Sequence, residues 1–458
     1  MTTVRSRLHE ELISTLKLAA PLSFAMAGSQ FLTLFDTSVV GRVSAAALAG
    51  TGTGSSIFFV SIIVALGILM GLDPVAAQAV GAGDPARARR ALREATRLVL
   101  LVTLPAMGAA FALYSSLPLL GMDEAVHHEA GRYLLGRAPS ALIFLFAQVQ
   151  RSYLQALGHA RPSFMAMVAA NVVNLPLAWF LVLGDSGLTA LGLPALGLGE
   201  GLGSLGAGLA ASIAFTVQCL VLHRALRAIP VPPGTGAPTR EGMLEIGRLG
   251  LPVGLQFAAE MGIFALVQFL IGAFGEVWAA SHNVAVQLIS FTFTACLGLS
   301  QAAAVRVGHG VGCGDWRGAR RAGFVAIGVG AVVMGFSSIF FATYSVTLAS
   351  FFAHDPVVVE TASRLILIAA IFQVVDGVQG VAGGVLRGAG DTRAAMWINV
   401  CAHWGVSFPF VLYFGRPEAF GAIGMWWSLT CGLTLVAIGL PLRFAWQMHR
   451  RLASLTPR

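Results

Sequence analysis

Four carboxylates lie inside long apolar runs of this chain. They are Asp36 in FLTLFDTSVV, Asp73 in GLDPVAAQ, Glu260 in QFAAEMG and Asp376 in FQVVDGV. A carboxylate at bilayer depth costs at least about 2.5–3.5 kcal/mol and persists only if it is protonated, paired, ion-bound or facing water. The chemistry open to such groups is narrow: they carry a proton or they bind a cation. Burial favours the neutral form of an isolated acid, which suits H⁺. Converging carboxylates instead offer hard oxygens, which suit Na⁺. Glu260 and Asp376 lie near the middle of their runs and are candidates for either role, including a shared Na⁺ site. Asp36 lies towards the end of its run. Asn174 in NVVNLPLAW is a candidate polar neighbour for it, and Pro176 frees backbone carbonyls in the same helix. Asp73 and Arg306 are read first as locally paired or snorkelling groups, and alternatively as an ion pair between the lobes that helps close an inner gate.

The elements that must position these groups follow from composition. The 458 residues are 56% hydrophobic and only 11% charged, with a mean hydropathy of +0.79. A soluble domain carries about 25% charged residues, so an ordinary cytosolic enzyme, a disulfide scaffold and a disordered chain are excluded. One crossing needs about 20 apolar residues. The chain offers twelve runs of that size: Leu18–Val40, Ser55–Val80, Leu92–Leu120, Tyr133–Leu157, Ser163–Gly184, Leu205–Leu226, Leu249–Phe274, Ala279–Val305, Ala322–Phe352, Leu365–Leu386, Ala394–Phe414 and Ala422–Phe444. The expected fold is an all-α polytopic membrane protein of twelve transmembrane helices in two pseudo-twofold-related six-helix bundles. No cleavable signal peptide is expected, since the first run lacks a small-residue cleavage site.

Most of the 29 Lys and Arg residues fall at alternate loops, as in Arg87–Arg97, Arg317–Arg321 and Arg443–Arg451. By the positive-inside rule both termini are expected in the cytoplasm. The net charge of +8 therefore reports topology. Nucleic acid is not an expected partner, because no aromatic–basic surface accompanies the arginines.

The chain also repeats itself. GAGDPARARRA at Gly81–Ala91 matches GCGDWRGARRA at Gly312–Ala322, an offset of 231 residues, and Pro21/Pro252 and Gly67/Gly298 keep that offset. Six runs per repeat make the halves parallel, related by an axis along the membrane normal. The expected lobes are 1–227 and 242–458, joined by a Pro-rich cytoplasmic linker at 228–241. Two such lobes about a cleft provide for alternating access. The acids do not follow the repeat: Val267, Ser29 and Leu145 stand opposite Asp36, Glu260 and Asp376.

Other motifs read as scaffold. The Gly-x-Gly-Asp turns cap helices. The one GxGxxG, Gly201–Gly206, follows no strand and is expected to pack helices. With no GxxxxGK[ST] there is no nucleotide site to drive transport, so the expected drive is an ion gradient, and no cofactor is expected. Five cysteines lack CxxC spacing and read as packing residues. His282, His309 and His403 form no catalytic constellation.

Taken together, FDTSVVGRVSAAALAG, PVAAQAVGAG, LQALGHARP, NLPLAW, LGLPVGLQFAAE, VRVGHGVG and FQVVDGVQGVAGGVLRGAGDT resemble the MATE (multidrug and toxic compound extrusion) family, in its NorM-like bacterial branch. The resemblance runs from about Leu16 to Arg451. It implies an antiporter of the bacterial inner membrane that exports cationic amphipathic compounds in exchange for H⁺ or Na⁺. It implies coupling roles for Glu260 and Asp376 in the C-terminal lobe and for Asp36 and Asn174 in the N-terminal lobe. Two positions depart from the family: Phe293 aligns with a tyrosine of some relatives, which favours H⁺ by removing an oxygen, and Ala178 replaces a polar residue. Asp73 stands where an uncharged residue is expected. Phe293, Gln256, Gln287 and Gln373 are the expected cleft residues, the expected partners are organic cations and the bilayer, and a monomer is expected.

Rival readings remain at this stage. A major-facilitator transporter places Asp and Arg differently in its repeated turns. A flippase for lipid-linked precursors would want a basic cleft, and the midspan charges here are acidic. A receptor or channel would not accumulate substrate against a gradient.

Overall fold

The computed structural model describes the backbone of residues 2–190, 192, 194, 197 and 199–455. Every regular element among them is helical. In chain order they are α1 (Thr2–Val40), α2 (Ala45–Leu69), α3 (Leu72–Gly81), α4 (Pro85–Ser116), a 3₁₀ turn (Leu117–Leu120), α5 (Glu124–Arg137), α6 (Pro139–Ala156), α7 (Arg161–Leu183), α8 (Asp185–Ala190), α9 (Ser204–Arg227), α10 (Arg240–Gly272), α11 (Glu276–Gly312), α12 (Trp316–Phe352), α13 (Pro356–Gly388), α14 (Thr392–Val400), a π-helical turn (Cys401–Ser407), α15 (Phe408–Phe414) and α16 (Gly421–Ala453).

Among the described residues, 11 helical stretches are long and apolar enough to cross a membrane. The twelfth run, Tyr133–Leu157, is a helix broken in two. Pro139 follows Ala138, and α5 gives way to α6 there, because proline cannot donate to the preceding turn. The chain is a multi-pass membrane protein. Its outward faces carry exposed apolar side chains such as Leu104 and Phe269, as a lipid-facing surface requires.

The repeated turns fold alike. Gly83 and Gly314 take φ of +74° and +77°, a left-handed conformation open to glycine at little cost. Asp315 then caps α12 by accepting from the Gly318 N–H at 2.8 Å. The GxGxxG segment packs helices as expected, with Gly206 against the backbone of Leu181. All five cysteines are free.

Packing gathers the chain into two units. The C-terminal unit holds the residues up to Met26, Asp73–Asp84 and the chain from Leu255 onward; the N-terminal unit holds Ala27–Leu72 and Pro85–Gly254. These differ from the lobes 1–227 and 242–458 read from the repeat, because α1 and α10 are each divided between units. Close approach through glycine is the reason. In the N-terminal unit, Gly67 of α2 lies against the backbone of Gly254 in α10; in the C-terminal unit, Gly298 of α11 lies against Ser23 of α1. The Ser23 hydroxyl donates to the Ala295 carbonyl at 2.8 Å. Ser23 and Gly254 are themselves related by the repeat offset, so one contact is made twice. Each time the first helix of one repeat meets the second helix of the other. Within lipid, such small-residue contacts supply the packing that the hydrophobic effect supplies in water.

The Pro-rich linker is fastened to α4 within the N-terminal unit. Glu94 is buried and accepts from the Thr239 N–H at 2.9 Å and from its hydroxyl at 2.8 Å. The Arg93 guanidinium donates to the Gly236 carbonyl at 2.9 Å. Glu94→Ala strands two donors at the start of α10 and should destabilise the protein by about 1–3 kcal/mol. A thermal melt of purified protein checks this, and an unchanged melting temperature would refute it.

Candidate functional site

Two acidic sites form, one in each unit. In the C-terminal unit, Glu260 comes from α10 and Asp376 from α13. They are joined by a residue absent from the sequence-derived set, Gln379, one helical turn beyond Asp376. Its amide donates to Glu260 Oε1 at 3.1 Å and to Asp376 Oδ1 at 3.1 Å. Asn399 of α14 donates to the second oxygen of Glu260 at 3.4 Å. Asp376, Gln379 and Asn399 are all buried, and Asn399 Oδ1 has no hydrogen-bond partner.

The surrounding backbone holds this cluster in place. The indole of Trp404 donates to the Ala259 carbonyl, next to Glu260, at 3.0 Å. His403 Nδ1 lies 3.0 Å from the Asn399 carbonyl. Both aromatic residues sit in the π-helical turn, and such turns occur often at functional sites. The cluster offers carboxylate and amide oxygens only. That set suits a proton or a hard cation, and Asn399 Oδ1 is an unused ligand for one. Among the described residues no group of three or more His, Cys, Asp or Glu could hold a metal ion.

The expected cleft residues divide. Phe293 lies beside Gly380, and Gln256 beside Gly383, on the stretch of α13 that follows Asp376. Gln373 does not line a cleft. It is fully buried and donates to the hydroxyls of Thr292 at 2.8 Å and Ser337 at 3.0 Å. Gln287 is exposed and makes no hydrogen bond with the acids.

In the N-terminal unit, Asp36 of α1 accepts a 2.6 Å hydrogen bond from Asn174 of α7. Asn174 is buried and its Oδ1 has no partner. The structure thus brings together the two residues paired from sequence. Asn171, one turn earlier, donates to the Gly28 carbonyl at 3.1 Å and ties α7 to α1.

The alternative Asp73–Arg306 pair does not form. Asp73, at the start of α3, pairs with Arg387 of α13 at 3.3 Å. Arg306 pairs with Glu11 of α1 at 2.7 Å. Both pairs lie within the C-terminal unit. The repeat offset marks positions as equivalent, and equivalence carries no information about adjacency. Glu11 was overlooked because it precedes the first apolar run, although α1 continues through it.

The MatE family model matches residues 21–180 and 252–412, once in each repeat. The chain is 32% identical over 448 residues to "Probable multidrug resistance protein NorM" of Pseudomonas putida, covering 96% of each. It is 30% identical over 447 residues to "Multidrug resistance protein MdtK" of Yersinia enterocolitica, covering 94% of this chain and 95% of that one. Among solved structures, the eukaryotic MATE transporter AtDTX14 superposes with a TM-score of 0.85 at 20% identity, covering 98% of this chain and all of that one. An outward-facing multidrug resistance MATE family transporter superposes with a TM-score of 0.86 at 19% identity, covering 97% of each. The last two likenesses establish the fold.

Proposed function

This chain belongs to the MatE family, and we propose that it is a secondary antiporter exporting cationic amphipathic compounds in exchange for H⁺ or Na⁺ across the bacterial inner membrane. The observation that carries the reading is the Glu260–Gln379–Asp376 bridge. A buried carboxylate, Asp376, and a half-buried one, Glu260, share one amide, whose two N–H groups each satisfy one acid. The amide stands where a cation would neutralise both. Arrival of a proton or Na⁺ displaces or rotates Gln379, and departure restores the bridge. The site therefore alternates between an ion-loaded and an amide-bridged form. Asp36 and Asn174 form the second coupling site, with the hydroxyl-free Phe293 favouring H⁺ in the first. Both termini face the cytoplasm in this reading.

The test is ethidium efflux from proteoliposomes under a pure Na⁺ gradient and, separately, a pure pH gradient. Efflux driven by one gradient alone identifies the coupling ion. Efflux driven by both indicates that the ions share the carboxylates. Proteoliposomes that move none of a panel of cationic dyes under either gradient would overturn the reading.

A further inference from the structure

The N-terminal unit holds a cation for which the export of cations has no need. Arg137 ends α5, within the run Tyr133–Leu157. Its guanidinium lies 4.7 Å from the ring centre of Phe58 and 4.7 Å from that of Phe215. Phe144 meets Phe215 edge-on at 5.2 Å and steadies it. Aromatic faces attract a guanidinium through their quadrupoles. They satisfy its plane and leave its edge untouched, and that edge carries five N–H donors in a fixed fork.

No described residue uses the fork. Among the described residues no carboxylate lies within ion-pair distance of Arg137, its side chain donates no hydrogen bond, and Nε is buried without a partner. Arg306 and Arg387 are matched with Glu11 and Asp73; the buried Arg151 also lacks a carboxylate, but it is enclosed and reaches only the Gln148 amide oxygen at 3.5 Å. An ionised side chain within a membrane span is costly and is kept for a partner. Arg137 is only half-buried, so its fork is reachable. The same unit presents Asp36, held by Asn174. One anionic group and one cationic fork thus share a single helical unit.

We propose that Arg137 is an anion subsite: its fork takes the carboxylate of an amphipathic substrate whose cationic centre is held by Asp36, so that the N-terminal unit selects zwitterions over simple cations. The inference rests on the antiporter reading above. The planar fork matches a carboxylate through two parallel hydrogen bonds. Phe58 and Phe215 hold that plane in advance, so little side-chain freedom is lost on binding.

Rhodamine B and its methyl ester provide the test. Both carry the same cationic ring system, and only rhodamine B carries a free carboxylate. Binding of each to the purified full chain in detergent is read by fluorescence anisotropy. Wild type should bind rhodamine B more tightly than the ester. Arg137→Gln should weaken rhodamine B by about tenfold or more and leave the ester unchanged. Arg137→Lys keeps the charge and loses the fork; it should fall between, and it replaces Arg137→Gln if that variant does not fold. Equal loss of both dyes would make Arg137 a structural residue and overturn the inference. So would an unchanged affinity for rhodamine B, or a wild-type preference for the ester. A wild-type protein that binds the ester but not rhodamine B defeats this inference alone, whereas one that binds neither dye defeats the antiporter reading of this unit as well.

Discussion

Asp376→Asn will express and fold like wild type and will not export. The substitution keeps the shape of the side chain, and the new amide oxygen still accepts from Gln379, so the buried bridge of 3.1 Å hydrogen bonds has a neutral equivalent. What is lost is one of two negative charges. A contact to a charged group contributes about 1.5–3 kcal/mol, so ion affinity should fall about 10- to 100-fold. For protons the loss is complete, since an amide does not titrate. Glu260→Gln should behave alike. Because the acids act through one bridging amide, the double variant should be little worse than either single one. Measured in proteoliposomes at matched protein levels, normal export by Asp376→Asn would remove the acid from its assigned role.

The second large effect is on stability. The Asp73 and Arg387 side chains are 11% and 7% exposed, with Arg387 Nε 3.3 Å from the Asp73 carboxylate. The end of α13 is further held by Gln78, whose amide donates to the Gly388 carbonyl at 3.0 Å. Asp73→Asn leaves the Arg387 guanidinium buried without its counter-charge. Breaking a buried pair from one side costs about 3–5 kcal/mol, and replacing both partners by apolar residues costs far less. Asp73→Asn should therefore lower the melting temperature sharply, and Asp73→Leu with Arg387→Met should recover most of it. If the single variant melts like wild type, the pair has no structural role.

Much of this was legible in the sequence, for physical reasons that differ between residues. Glu260 and Asp376 stood out because a charge deep in an apolar run needs an explanation. Asn174 stood out because it was polar beside a proline in such a run. Gln379 was within reach of the same reasoning, since a polar residue one helical turn from Asp376 shares its face. Asn399 was not, because no local spacing relates α14 to α10. The alternative of an Asp73–Arg306 pair does not hold, because the offset relates positions across the repeat and not neighbours in space. Gln373 was expected in a cleft and is a buried bridge to Thr292 and Ser337, since polarity within a run does not reveal which way a side chain faces. Arg137 carries no local signal, because the rings that hold it, Phe58 and Phe215, come from α2 and α9.

The twice-made contact between first and second helices also sets a clock for biosynthesis. Ser23 and its partner Ala295 are 272 residues apart in the chain. At a synthesis rate of about 5–20 residues per second, roughly 14–54 s separate their emergence from the ribosome. Through that interval the beginning of α1 lacks its contact with α11. The first six spans leave the insertion machinery as an unfinished bundle, with one helix end held in reserve and the place for α10 open against α2. Completion of either unit waits on the second repeat. The first repeat made alone should therefore be a substrate for membrane proteolysis, and the second repeat, supplied as a separate polypeptide, should protect it.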